Sequence, residues 1–375
     1  MTRVPSYAAA GVDVEAGERA VALMRSSIAR AQRAESVGNF GGFAGLFDAS
    51  ALRGYTRPLL ATSTDGVGTK VAVAKAMQRY DTIGIDLVAM IVDDLVVCGA
   101  EPLFLTDYIA TGAVKPERIA AIVSGIAHGC VIAGCALLGG ETAEHPGLME
   151  PDDVDIAGAG TGVVEADDLL GAHRVRAGDV VIAMNASGLH SNGYSFVRAT
   201  LLAPGGVGLD HQSPDLGGSV GEALLTPTRI YSQDCLALAR AGLVHAFSHV
   251  TGGGIAANLA RVLPVDCAVE IDRSRWELPA VFALVARESG ADLAELERTF
   301  NMGVGMLAVG PAEDVDAMLR MLDERGLPAW VCGEVRERRM TDTPDSPAKG
   351  GEGGAVMLRG RYGRRSSSSA DSSSS

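Results

Sequence analysis

Apolar and polar positions along the first half of the chain follow the repeat of a helix in some segments and of a strand in others. From Ala16 to Arg33 apolar side chains recur every three or four residues, which predicts a helix with one buried face. Pro58–Ser63 predicts a strand that ends at a glycine turn. We further predict the helices Asp86–Cys98 and Pro116–Gly134 and the strands Leu103–Tyr108, Cys135–Leu138 and Val154–Val164. This alternation predicts an α/β or α+β domain over residues 1–168.

A second series of the same kind begins after Asp179 and predicts a second α/β domain over residues 175–337. It consists of the predicted strands Val180–Asn185, Ala268–Ile271 and Met306–Val309 and of predicted helices after His190, Pro227 and Thr251. Residues 341–375 are rich in Pro, Gly, Asp and Ser, so we predict a disordered tail. Within that tail Ala355–Leu358 is apolar. The alternative to disorder for this segment is that it docks on the protein as an extra strand.

Composition narrows the class of protein. Hydrophobic residues make up 47% of the chain and aromatic residues 5%, which is typical of a layered α/β core built from aliphatic side chains. The net charge of −14 opposes binding to nucleic acid, because phosphate backbones attract clustered Lys and Arg. Six cysteines without a C-x-x-C pair indicate reduced thiols. With no apolar run of signal-peptide or membrane-helix length, we expect a soluble cytoplasmic protein with no membrane partner.

The turn after the first predicted strand has the composition of a phosphate and metal site. Its glycines allow backbone N–H groups to approach a phosphate, its lysine can neutralise charge, and its aspartate can hold a divalent cation. These residues are Asp65, Gly66, Val67, Gly68, Thr69 and Lys70. The spacing is not that of a Walker A loop, so a nucleotide would be held differently. The alternative is a tight turn with a solvated Lys and Asp.

Carboxylates in apolar surroundings indicate a cation site. Asp86 and Asp93 are seven residues apart and lie on nearly the same face of a predicted helix, with Asp94 about 100° further round. Buried unpaired carboxylates are costly, so they either coordinate Mg²⁺ or lie on a solvated edge. Glu141 follows the glycines Gly139 and Gly140 at a strand end and is a further candidate ligand, or else an exposed turn residue.

Two further glycine segments have the order of loop, glycine and helix start that suits an anion. The first contains Ser187, Gly188, His190, Ser191 and Asn192, and the second contains Gly252, Gly253 and Gly254. A lone histidine is more often structural, but the neighbours of His190 are small and polar.

Together these motifs resemble the phosphoribosylformylglycinamidine cyclo-ligases, also called aminoimidazole ribonucleotide synthetases, from about Ser6 to about Val335. The resemblance lies in the opening Ser6–Asp13, the Asp65 turn, and the segments Gly139–Glu144, Ser187–Ser195, Pro227–Tyr231, Thr251–Gly254 and Phe300–Met306. The family usually has Asn-Asp where this chain has Asp93-Asp94, which leaves open which of the two binds metal. The long serine tail is a second departure from the family pattern.

The resemblance implies a two-domain subunit that forms a homodimer, with strands of both N-terminal domains in a shared β-barrel and a C-terminal α/β sandwich domain. It implies ATP-dependent closure of formylglycinamidine ribonucleotide to aminoimidazole ribonucleotide, through an iminophosphate. We predict catalytic roles for His190 and Lys70, a nucleotide site that includes the turn 65–70, Asp94, Gly139 and Gly140, and a substrate site at the two later glycine segments. Mg²⁺ would be held by Asp65, Asp93, Asp94 and Glu141.

Two alternatives remain beside this prediction. Other enzymes of the same fold group, a small-molecule kinase or a dehydratase, share the Asp-Gly turn. A non-catalytic nucleotide-binding scaffold is the second, although a scaffold has no need of acidic metal ligands beside a phosphate turn.

Overall fold

The computed structural model describes residues 13–38 and 42–363, and two large β-sheets organise this part of the chain. The strands are β1 (Ser36–Val37), β2 (Leu46–Phe47), β3 (Pro58–Gly66), β4 (Glu101–Thr111), β5 (Ala136–Glu144), β6 (Val154–Glu165), β7 (Val180–Asn185), β8 (Gln212–Ser213), β9 (Gly218–Ser219), β10 (Ala246–His249), β11 (Cys267–Asp272), β12 (Val304–Gly310), β13 (Ala329–Glu337) and β14 (Ala355–Arg359). The helices are α1 (Val14–Arg30), α2 (Lys70–Met77), α3 (Ile83–Val96), α4 (Pro116–Ala133), α5 (Tyr194–Leu201), α6 (Val220–Leu224), α7 (Ser232–Arg240), α8 (Gly254–Ala260), α9 (Ala280–Ser289), α10 (Leu293–Thr299) and α11 (Val315–Glu324). The predicted mixed α/β fold in two units is confirmed.

The first sheet has four strands in the order β3-β6-β4-β5, antiparallel except for the parallel pair β4 and β5. Helices α3 and α4 cover one face of it, and α1 packs on α4. The opposite face carries Thr62, Thr64 and Thr106 together with Leu60 and Tyr108, whose side chains are 64% and 42% exposed. This sheet therefore has one face covered by helices and an opposite, open face, which residues 45–52 cover only in part, beside Phe104.

Helix α4 is the one helix of the described residues that is long and apolar enough to cross a membrane, and 56% of its residues are buried inside the protein. Pro116 begins it and Gly134, in a left-handed conformation, ends it. It touches α3 where Gly84 and Gly125 face each other, since a Cβ on Gly84 would overlap the backbone of α4. Its apolar character is that of a core helix.

The second sheet has six strands in the order β10-β12-β7-β13-β11-β14. Alternate residues of β7 point to opposite faces. Val181 and Ala183 join a core that includes residues of α8, whereas Ile182 and Met184 join a core that includes residues of α7 and α11. Helices thus cover both faces of this sheet.

The prediction of a disordered tail over residues 341–375 was wrong for residues 341–363. Ala355–Leu358 is buried and pairs in parallel with β11, so β14 completes the second sheet. Four successive apolar residues can hydrogen-bond to an open strand edge although the composition around them is polar. Ser366–Ser375 lie outside the described residues, as does the motif Ser6–Val12.

Candidate functional site

Three predicted segments meet where the two units touch. Ser191 Oγ donates a hydrogen bond to the Val67 carbonyl oxygen at 2.8 Å, which joins the first glycine segment to the Asp65 turn. Asn192 Oδ1 accepts from Gly252 N at 3.1 Å and joins that segment to the second one. The turn after β3 and the loops after β7 and β10 are therefore in contact, and we call the place where they meet the cleft. No single stretch of sequence contains it.

The main chain of the Asp65 turn is hydrogen-bonded at its start and has free amides at its end. Asp65 Oδ1 accepts from the Gly66 amide at 2.7 Å, and Val67 N donates to the Ile156 carbonyl oxygen at 3.3 Å. The amides of Gly68, Thr69 and Lys70 make no hydrogen bond within the described part of the chain, and Gly68 has a φ of +66°. These N–H groups at the start of α2 are free to donate to an anion.

Lys70 does not reach this cleft, which corrects its predicted phosphate contact. Its side chain is fully buried, and Nζ donates to Asp86 Oδ1 at 2.9 Å, to the His190 carbonyl oxygen at 3.0 Å and to the Thr226 carbonyl oxygen at 2.7 Å. An ammonium group has three N–H donors, so all of them have acceptors inside the protein. Burial lowers the pKa of Lys70, and the charge of Asp86 opposes that shift.

The carboxylates of α3 have different environments. Asp86 accepts from Thr228 N at 2.7 Å, and Asp93 accepts from Tyr231 N at 2.9 Å, so both bind the second unit and are fully buried. Burial raises the pKa of Asp93 to about 7. As predicted, Asp86 and Asp93 lie on the same face of α3, but neither side chain faces the cleft.

Asp94 is the α3 carboxylate that faces the cleft. Its side chain is 44% exposed, and Oδ1 lies 2.9 Å from His249 Nδ1. Burial raises the pKa of Asp94, but the hydrogen bond and the charge of His249 lower it overall. Burial lowers the pKa of His249, but Asp94 and Asp93 raise it overall, which favours the protonated ring. Asp65 lies near enough for the charge of Asp94 to raise its pKa, although burial is the larger cause.

The four predicted metal ligands are not brought together. Asp65 shares a row of the first sheet with Gly158, Asp107 and Gly140, whereas Glu141 pairs with Tyr108 and belongs to the opposite face. With strands about 4.8 Å apart, Glu141 is also about 14 Å away from Asp65 across the sheet. Among the described residues no group of three or more His, Cys, Asp or Glu side chains is placed to hold a metal ion.

Gly139, Gly140 and Glu141 line a separate cavity of about 270 Å³ between β5 and α1. Asp107 lies at its wall beside Gly140, and burial raises the pKa of Asp107 to about 7. Sequence reasoning missed Asp107 because it lies within a strand pattern and has no glycine beside it.

His190 is buried and has a positive φ of 61°. Its Nε2 accepts from Ser187 N at 3.3 Å, and its Nδ1 has no hydrogen-bond partner among residues 13–38 and 42–363. Burial, with the charges of His249, Lys70 and Arg229, lowers the pKa of His190, so the ring is neutral. In this structure the ring does not open on the cleft, and its contact with substrate stays a prediction.

The second glycine segment is held by its own helix. Asn258 Nδ2 donates to the carbonyl oxygens of Thr251, Gly252 and Gly254 at 3.2, 3.4 and 2.8 Å. A Cβ on Gly254 would overlap the Glu297 carbonyl oxygen, so only glycine fits there. No role was predicted for His249 from the sequence, although it lies just before the predicted glycine segment, which could have drawn attention to it.

Comparison with known proteins agrees with this architecture. Residues 47–164 match the N-terminal domain, and residues 176–343 the C-terminal domain, of the AIR synthase related proteins. The phosphoribosylformylglycinamidine cyclo-ligase of Desulfitobacterium hafniense is 48% identical over 330 residues, which cover 88% of this chain and 96% of the relative. That of Shouchella clausii is 47% identical over 330 residues, with 88% and 95% coverage.

Solved structures share the fold at low identity. Thiamine-monophosphate kinase from Stenotrophomonas maltophilia superposes with a TM-score of 0.62 at 18% identity, over 91% of this chain and 96% of the other. The hydrogenase maturation protein HypE of E. coli superposes with a TM-score of 0.63 at 19% identity, over 93% and 95%. These two structures show the fold, and the two domain matches place the chain in the class of AIR synthase related proteins.

Within that class, identity over nearly the whole length of the relatives decides the family. The chain belongs to the phosphoribosylformylglycinamidine cyclo-ligase family, and it is a ligase.

Proposed function

We propose that this enzyme closes the imidazole ring of formylglycinamidine ribonucleotide to give aminoimidazole ribonucleotide, with conversion of ATP to ADP and phosphate, in purine synthesis. The observation that carries this proposal is the 48% identity to a cyclo-ligase over 96% of that relative. The meeting of the Asp65 turn with both glycine loops at one cleft supports it.

The chemistry needs a better leaving group than an amide-type oxygen. Transfer of the γ-phosphoryl group from ATP to the formyl oxygen produces an iminophosphate, and an internal nitrogen then attacks that carbon while phosphate leaves. The amides of Gly68, Thr69 and Lys70 are free to stabilise charge on the transferred phosphoryl group. Because attack within one molecule competes with hydrolysis, the role of the cleft is to hold the two ends together and exclude water.

We assign the magnesium ion that accompanies ATP to Asp65 and Asp94, the two predicted carboxylates that face the cleft from neighbouring elements. Their oxygens are hard ligands of the kind that Mg²⁺ prefers. The ion would neutralise phosphate charge. The hydrogen bond with His249 orients Asp94 for that purpose. Gly139 and Gly140 line a cavity slightly below the usual range of about 300–1,000 Å³, which suits a base rather than a whole nucleotide.

The open face of the first sheet supports a homodimer. An antiparallel sheet with exposed Leu60 and Tyr108 on one face is expected to bury that face, and a second copy that contributes the same sheet would close a barrel. In this arrangement residues 1–168 supply ATP and dimer contacts, and residues 175–337 supply the substrate loops. We place the enzyme in the cytoplasm, where purine precursors are made.

The test is phosphate release from ATP by the purified full-length chain, with and without formylglycinamidine ribonucleotide. We expect release that depends on the ribonucleotide and appearance of aminoimidazole ribonucleotide in equal amount. Thiamine monophosphate serves as the control substrate for a kinase of the same fold, with ADP formation as the readout, because a kinase transfers the phosphoryl group without releasing phosphate. ATP binding without any substrate-dependent turnover would refute the proposal and favour a scaffold.

A further inference from the structure

The C-terminal segment places a cation beside the second glycine loop. Lys349 lies between β13 and β14, beyond residue 343, where the match to the C-terminal family domain ends. Its Nζ donates to Thr251 Oγ1 at 3.2 Å, and its Cδ lies 4.0 Å from the position that a Cβ would take on Gly253. The ammonium group of this exposed side chain therefore lies over the loop 251–254.

The main chain on both sides of Lys349 is bound to α8. Lys349 N donates to the Ala257 carbonyl oxygen at 3.0 Å, and Gly354 N donates to that of Ala260 at 3.1 Å. Ala348 packs against the core beneath α8, and β14 follows immediately. The side chain thus extends from a fixed backbone rather than from a free tail.

The charge of Lys349 is available to a ligand. Its hydrogen bond to Thr251 places it beside the loop 251–254, which Asn192 joins to the cleft through the amide of Gly252. Within the described residues Lys349 forms no ion pair, whereas Lys70 is bound to Asp86. Its present partner, the Thr251 hydroxyl, is neutral and can be exchanged for a stronger acceptor.

We propose that Lys349 contacts a phosphate group of a ligand bound in the cleft. It neutralises the phosphate charge, the role predicted for Lys70, whose ammonium group is bound inside the protein. The inference rests on the proposed function, because ATP and the ribonucleotide substrate both carry phosphate. In a chain with a net charge of −14, a cation at the cleft also offsets repulsion of these anions. An ammonium group is a compact phosphate ligand.

The experiment compares Lys349→Ala, Lys349→Arg and the control Arg361→Ala, which removes a positive charge from an exposed residue of the same segment. We expect Lys349→Ala to raise the KM of one phosphate-bearing ligand by about tenfold, the effect of one lost charge-assisted hydrogen bond. Lys349→Arg should stay within about threefold of wild type, because a cation is retained. Arg361→Ala should match wild type. A rise in the KM of ATP alone identifies the nucleotide phosphates, and a rise for the ribonucleotide alone identifies its 5′-phosphate.

Calorimetric titration with a non-hydrolysable ATP analogue and with the ribonucleotide separates binding from turnover. Unchanged affinity for both ligands in Lys349→Ala would overturn the inference, as would an equal loss in Arg361→Ala. If the wild-type protein binds ATP but shows no turnover of the ribonucleotide, the proposed function is refuted. The ligand affinities of the wild type and the variants still test the role of Lys349 in that case. Thermal unfolding of each variant checks that the loop has not lost its fold.

Discussion

The buried contact between Lys70 and Asp86 allows a structural role to be separated from a catalytic one. Both side chains have no exposed surface, and each makes three hydrogen bonds within the protein. Replacing Lys70 by Ala would leave the Asp86 carboxylate buried without its cation. Removing one partner of such a pair costs about 3–5 kcal/mol.

In a cooperative unit of about 150–250 residues that cost corresponds to a fall in Tm of roughly 6–20 °C, at about 2–4 °C for each kcal/mol, and in a larger unit the fall is smaller. The measurement is urea unfolding followed by circular dichroism and by tryptophan fluorescence, with thermal melts beside it. The matched control is Lys75→Ala in the same helix, which breaks an ion pair with Asp153 whose side chains are 39% and 40% exposed. The control should change stability far less, because solvent screens an exposed pair.

A second variant keeps the test decisive if Lys70→Ala fails to fold. Lys70→Met with Asp86→Leu removes both charges and should recover much of the lost stability, since the uncompensated charge is gone. If Lys70→Ala instead unfolds like wild type and loses only turnover, the structural role is refuted and the predicted catalytic role returns.

Three further predictions concern individual side chains. Asp65→Ala should lower kcat/KM by more than tenfold, or about 1.4 kcal/mol, with little change in Tm; an active variant would remove Asp65 from the magnesium site. His190→Ala should lower the Tm, because the ring is buried between Ser187 and Tyr231, and a variant of normal Tm with no turnover would show that the ring serves the reaction. Asp107→Asn should stabilise the protein at pH 8 and not at pH 4, measured by urea unfolding. Since burial raises the pKa of Asp107 from 3.8 to about 7, the folded state holds the proton longer, and wild-type stability falls between about pH 4 and pH 7 by up to about 4 kcal/mol. A constant difference between the two proteins across this range would contradict that reasoning.

Local patterns in the sequence predicted most of the fold. The helix around Met24 and Ile28 and the strand from Pro58 follow from their apolar repeats, and both are present. Strands β10 and β13 were missed. β10 is only four residues long and buried throughout, so it lacks alternation, and β13 has a register shift between Val331 and Gly333 that disturbs the alternating pattern.

The sequence indicated which loops are candidates for the site, but it did not show where the charged side chains lie. Residues 65–70, 187–192 and 252–254 are in contact in the structure, and in each loop glycines follow a strand and leave backbone N–H groups near the end of a sheet. The local sequence does not show whether a particular charged side chain faces solvent or packs against another element. Lys70 and Lys349 show this: the first adjoins a phosphate turn and is buried, and the second comes from a polar tail and lies at the cleft.

Helix α3 has a consequence for the modularity of the chain. It belongs to the first sheet by packing, yet Asp86 and Asp93 accept main-chain amides of Thr228 and Tyr231 in the second unit. If the two units were separated, these hydrogen bonds to Thr228 and Tyr231 would be lost, and the apolar side chains of α3 around them would be exposed to water. The two sheets are separate, but α3 couples the stability of the two units.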